Sequence, residues 1–133
     1  MVESKKAGVK VLVADQFSED GIQELIKSGI EVTYDAGLNG ESLTKALGEL
    51  QPNILVVRST KVTAADVNAG SRLQLVVRAG AGYDTIDVAH CAKNGVYVAN
   101  CPGKNSHAVA ELTLGLILSI DRRIPEGVQL LRE

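Results

Sequence analysis

Five short runs of aliphatic and β-branched residues recur along this chain, and a segment with helical spacing follows each. The runs span residues 9–14, 30–34, 54–57, 75–78 and 96–98. All are too short for a helix and almost uninterrupted in their apolar character, as strands buried on both faces are. Between them lie helical signatures. Ser18 caps a segment carrying Ile22, Leu25 and Ile26, which Gly29 ends. Asn39-Gly40-Glu41-Ser42 opens a second with Leu43, Ala46, Leu47 and Leu50, stopped by Pro52. Thr63 heads a short third, and residues 84–93 form a fourth, closed by Asn94-Gly95. A long helix is expected over 106–121, and a last turn or helix begins at Pro125. Strand–helix alternation with short links demands a parallel sheet with helical crossovers, and right-handed crossovers leave few topologies. The expected fold is α/β: a flavodoxin-like, doubly wound, five-stranded parallel sheet followed by a long C-terminal helix. The first seven residues are expected to fray.

The 133 residues fit one domain, and 45% hydrophobic content suffices for a core. With 3% aromatics, that core must be built from Val, Ile, Leu and Ala. Fourteen basic and sixteen acidic residues leave a net charge of −2. That balance excludes a phosphate-neutralising nucleic-acid surface, and the lack of aromatics removes the stacking platforms of single-strand binders. No apolar run is long enough to span a membrane, and Val2 to Lys6 is unlike a signal peptide. Cys91 and Cys101 lack metal-ligand spacing and read as free thiols of a cytoplasmic protein.

The 106–121 helix is unusual. From Ala108 to Ile120 it is apolar on nearly every side, whereas a surface helix shows one stripe. Such a helix is expected to be buried by a second domain, a second subunit or both. Glu111 lies within it, and a carboxylate there needs a partner or a raised pKa. It could hold the preceding loop by a buried hydrogen bond or act in chemistry directly.

Ligands of open α/β sheets bind beyond the carboxyl ends of the strands. Here those ends supply Asp15-Gln16, Arg58-Ser59-Thr60-Lys61, Arg78 with Ala79-Gly80-Ala81-Gly82, and Asn100 with the loop to Asn105-Ser106. Arginine forks suit carboxylate and phosphate, and glycines let backbone N–H groups approach an anion. A small anionic ligand is the expectation. Each feature also has a plainer reading: an arginine paired with a surface carboxylate, a Gly-x-Gly that is only a tight turn, His107 and His90 as surface histidines. The Gly80-Ala81-Gly82-Tyr83-Asp84-Thr85 run is no dinucleotide fingerprint, since its third glycine is missing. As a rival, Asp15 after the first strand suggests a phosphoacceptor of a non-catalytic, receiver-type module. That match lacks the acidic cluster and closing lysine, and the third strand ends in arginine.

Four blocks in order carry a resemblance: 57–63 (Val-Arg-Ser-Thr-Lys-Val-Thr), 77–87 (Val-Arg-Ala-Gly-Ala-Gly-Tyr-Asp-Thr-Ile-Asp), 95–102 (Gly-Val-Tyr-Val-Ala-Asn-Cys-Pro) and 105–112 (Asn-Ser-His-Ala-Val-Ala-Glu-Leu). Together they resemble the substrate-binding region of the D-2-hydroxyacid dehydrogenases. The Arg-Ser pair favours the branch acting on 3-phosphoglycerate; a dehydrogenase for another 2-hydroxy acid is the alternative. The resemblance implies NAD as cofactor. It implies that Ala81 and Gly82 N–H groups hold the substrate carboxylate and that Asn105 bonds near the reacting carbon. Arg58 and Ser59, helped by Arg78, would face the phosphate, and Ser106 would lie near the nicotinamide. It further implies a division at 104/105 between a substrate domain and a helix bridging to a nucleotide domain. That helix, 106–121, would also form a homo-oligomer contact. The family's catalytic arginine, acid and histidine have no counterpart in these residues, nor has its Gly-x-Gly-x-x-Gly turn. No catalytic residue and no metal site are therefore expected here, and the isolated polypeptide is expected to be inactive.

Overall fold

The structure, a computed structural model, describes residues 8–132; the expected fraying of residues 1–7 lies outside them. The chain forms two compact units, Met1–Pro102 and Gly103–Glu133. The first holds β1 (Lys10–Val13), α1 (Glu19–Lys27), β2 (Glu31–Tyr34), α2 (Gly40–Leu50), β3 (Ile54–Val57), α3 (Ala64–Ala69), β4 (Leu75–Arg78), α4 (Val88–Lys93) and β5 (Tyr97–Asn100). All pairings are parallel and the strand order is β2-β1-β3-β4-β5, as the alternation predicts. The order reverses between β1 and β3, so the topological switch point lies at their carboxyl ends.

Strand periodicity sorts the core into two faces. Leu12, Leu55, Val57 and Val76 pack with Leu43 and Leu47 of α2, Val67 of α3 and Cys91 of α4. Val11, Val13 and Val56 face the other way, with Ile30, Val32, Ile54 and Val77 against them. That second face is thinner and borders an apolar cavity of about 300 Å³ reaching Phe17 and Leu25.

Local signals set most helix ends. Ser18 caps α1 by accepting from the Gly21 N–H, and Gln51 closes α2 in the left-handed region just before Pro52. Asp66 is 1% exposed. It accepts from the Thr63 N–H and hydroxyl at 2.8 Å each, and the Thr44 hydroxyl also donates to it, fastening α3 to α2. One boundary departs from expectation. Residues 84–87 make a turn, with the Ile86 N–H donating to Tyr83 C=O, and the fourth helix starts only at Val88, capped by Asp87. The delay arises because the Val62–Ile86 bridge draws this segment into parallel pairing, through Val62 N–H to Thr85 C=O (2.9 Å) and Asp87 N–H to Val62 C=O (3.0 Å).

The second unit holds α5 (Ser106–Asp121) and α6 (Ile124–Leu130). No described residue covers α5, as expected of a helix whose all-round apolar surface needs a second domain or subunit. None of its residues is buried, Leu112, Leu114 and Ile120 are more than 60% exposed, and Glu111 is exposed rather than enclosed. Among the described residues, no helix is long and apolar enough to cross a membrane.

Candidate functional site: the carboxyl edge of β3 and β4

The residue row Val57–Arg78–Asn100 runs across the ends of β3, β4 and β5. It brings Arg58, Ser59, Arg78, Ala81 and Gly82 together on one rim of the first unit. Asn105, the residue preceding α5 and one making no side-chain cap bond, and Ser106, the first residue of α5, belong to the second unit.

The loop after β4 is anchored from the β5 side. Cys101 N–H donates to Gly80 C=O at 2.9 Å, and Asn100 Nδ2 donates to Ala81 C=O at 2.6 Å. Among the described residues no peptide bond is cis, so each N–H points opposite the carbonyl of its own peptide plane. The N–H groups of Ala81 and Gly82 are thereby turned away from β5. Both residues are exposed, and neither N–H has a partner among the described residues. Two adjacent, pre-oriented, unpaired donors suit a carboxylate.

Arg78 closes β4 and is half-buried, with its Nε buried and without a hydrogen-bond partner. Its guanidinium lies over Gly80: a Cβ there would overlap Nη1 and stand 2.6 Å from Cζ. Glycine at 80 is thus what gives the guanidinium its place. Arg58 and Lys61 are exposed, and no ion pair among the described residues engages them or Arg78. Asp84 borders the rim, since a Cβ at Gly82 would lie 2.9 Å from its Oδ1.

The sequence marks Asp15 as a strand end and as the phosphoacceptor of the rival reading. In the fold its Oδ2 accepts the N–H groups of Arg58 (2.8 Å), Ser59 (2.9 Å) and Thr60 (2.8 Å), and its Oδ1 accepts the Ser59 hydroxyl (3.0 Å). Desolvation alone would push this carboxyl up. The bonds from Arg58, Thr60 and Ser59 outweigh it and hold Asp15 well below the usual carboxylate range. With both oxygens engaged, Asp15 is no free phosphoacceptor, which removes the basis of the receiver-type reading. Ser59, expected to face substrate, spends its hydroxyl proton on Asp15.

Cys91 and Cys101 are free thiols; burial and then the Asp87 charge push the Cys91 thiol up. His90 meets Asn68 Oδ1 through Nε2 at 2.8 Å, and His107 is exposed on α5. Among the described residues no cluster could hold a metal.

Residues 11–123 match the model of the D-isomer specific 2-hydroxyacid dehydrogenase catalytic domain. D-3-phosphoglycerate dehydrogenase of Methanocaldococcus jannaschii is 41% identical over 93% of this chain and 23% of its own length. Hydroxypyruvate reductase of Thermotoga maritima is 40% identical over 96% of this chain and 41% of its own. The crystal structure of NAD+-bound 3-phosphoglycerate dehydrogenase of Entamoeba histolytica superposes with a TM-score of 0.74 at 32% identity, over 85% of this chain and 39% of that one. The chain therefore spans about a quarter of the length of the curated D-3-phosphoglycerate dehydrogenases it matches, and about two fifths of the hydroxypyruvate reductase and of the Entamoeba histolytica enzyme. By its sheet order, its β3–β4 rim and these matches, the chain belongs to the D-isomer specific 2-hydroxyacid dehydrogenase family.

Proposed function

We propose that this chain is the substrate-binding part of an NAD-dependent dehydrogenase that oxidises 3-phosphoglycerate to 3-phosphohydroxypyruvate in serine biosynthesis. The observation that carries the reading is the pair of free N–H groups at Ala81 and Gly82 beside two unpaired arginines. The carboxylate sits on those N–H groups. The phosphate meets Arg58 and Arg78, with the Ser59 hydroxyl oxygen keeping a free lone pair beside them. Asn105 bonds near the reacting carbon and Ser106 lies by the nicotinamide. The substrate domain is 1–104, and 105–133 forms the bridge and start of a nucleotide domain. The exposed apolar residues of α5 supply a homo-oligomer contact through 106–121, and the protein works in the cytoplasm with neither nucleic acid nor membrane as partner. A dehydrogenase for an unphosphorylated 2-hydroxy acid is the second reading, favoured by the 40% identity to a hydroxypyruvate reductase.

The rim does not fit NAD itself. Arg78 fills the space over Gly80, Thr85 stands where a third glycine is needed, and α4 begins only at Val88 with six residues. NAD, when bound, accepts the hydride; these residues bind and orient the hydroxy acid. No hydride step is assigned to them, and the 133-residue polypeptide alone is expected to leave NAD unreduced.

The test is amide NMR of the chain during titration with 3-phosphoglycerate and with lactate. Shifts at Ala81, Gly82 and Ser59 that are larger with 3-phosphoglycerate, and weakened by Arg58→Ala, are expected. Equal and diffuse shifts with either acid would refute the reading.

A further inference from the structure

The switch point between β1 and β3 is where an open sheet of this order offers its ligand site. Here that place is filled from within. The carboxylate of Asp15 sits against three successive N–H groups, those of Arg58, Ser59 and Thr60, much as an anion sits in a backbone nest. The Ser59 hydroxyl adds a fourth bond, and the Thr60 hydroxyl donates to Ala14 C=O at 3.3 Å, so the β3 loop is stitched to the end of β1. This loop carries Arg58 and Lys61. Its far end is fixed by the Val62–Ile86 bridge. Arg58 is itself the first residue of the nest, its N–H held by Asp15, and it follows Val57, which pairs with Arg78 of β4.

We propose that Asp15 is a positioning residue of the anion site: its carboxylate occupies the nest of residues 58–60 and thereby holds Arg58 at the rim where the substrate phosphate binds. The inference rests on the substrate reading above for the identity of the anion. It makes a prediction opposite in sign to plain electrostatics. A negative charge so close to an anion site repels the ligand, so removing it should tighten binding if charge were all that mattered. Positioning requires that removal loosens binding. Asparagine has the shape of aspartate, but it offers the three N–H groups a neutral carbonyl oxygen in place of a carboxylate, and its amide must donate to the Ser59 hydroxyl instead of accepting from it. Alanine leaves the nest empty, and a small carboxylate such as formate can re-enter it.

The experiment titrates the 133-residue chain with 3-phosphoglycerate and, separately, inorganic phosphate, for wild type, Asp15→Asn, and Asp15→Ala with and without formate. Amide spectra report folding and affinity together. Asp15→Asn should fold, with shift changes centred on residues 58–60, and should bind 3-phosphoglycerate about tenfold more weakly, the loss expected when one charge-assisted contact is misplaced. Formate should restore part of the affinity to Asp15→Ala and none to Arg58→Ala. Unchanged or tighter binding by a folded Asp15→Asn overturns the proposal. So does failure of both variants to fold, which would make Asp15 a pillar of the fold instead. A wild-type chain that binds phosphate as well as 3-phosphoglycerate overturns the substrate reading only, and the phosphate titrations then judge Asp15. Binding of neither by wild type overturns both.

Discussion

Replacing Gly80 with alanine separates binding from stability at this rim. The new Cβ would overlap Arg78 Nη1 and lie 2.6 Å from Cζ and 3.2 Å from Nε. These atoms are the far end of a flexible side chain, and no backbone atom is as near. Gly80 is also absent from the positive-φ residues, so alanine meets no backbone strain. The clash is therefore relieved by moving the guanidinium, not the loop. Alanine lowers the entropy of the unfolded chain by about 0.4–1 kcal/mol, which offsets the packing Arg78 loses. Stability should stay within about 1 kcal/mol of wild type by urea denaturation with an unchanged slope. Anion affinity should fall, because a hydrogen bond to a charged group is worth about 1.5–3 kcal/mol, or about tenfold to a hundredfold in the dissociation constant. Arg78→Ala should lose as much, and the double variant Arg78→Ala/Gly80→Ala should lose no more than either single one. A Gly80→Ala protein with wild-type affinity for 3-phosphoglycerate would show that Arg78 does not reach the ligand. Losses that add in the double variant would show that Gly80 acts by another route.

Asn100→Ala removes the bond that orients the 81–82 peptide; 3-phosphoglycerate should bind several-fold more weakly, with the largest amide change at Gly82, and unchanged binding would mean the backbone holds the cradle unaided. Asp66→Ala strips a buried acceptor of three hydrogen bonds, and should cost about 3 kcal/mol in denaturation, moderated because Thr63 is exposed and can be rehydrated; a loss below about 1 kcal/mol would mean that water replaces the carboxylate fully. The lowered Asp15 pKa has a definite sign. Its contribution is fully present above the ordinary carboxylate value of about 4 and is lost as pH falls from there through the folded value, so acid should destabilise wild type more steeply than Asp15→Asn below about pH 4. Parallel acid profiles would remove that linkage.

The alternation of strands and helices was legible in the sequence because its signals are local. Runs such as Ile54–Val57 have one buried solution, and Ser18, Thr63 and Gly29 mark helix ends within one turn of the chain. Parallel pairing and right-handed crossovers then leave the observed strand order among few. Arg58, Arg78, Ala81 and Gly82 were legible too, as strand-end residues of types that hold anions. Only the tertiary structure decided how they are held. Asp15 reaches partners 43 to 45 positions away, and Asn100 reaches back 19 to Ala81. No periodicity or cap encodes such pairs, since they exist only once β1, β3, β4 and β5 lie side by side. The same holds for the turn at 84–87, where a long-range bridge overrode a local helical pattern. The need of α5 for a covering neighbour was legible as well, but a helix apolar on all sides specifies the need for partners and not the atoms that cover it, and α5 is exposed here.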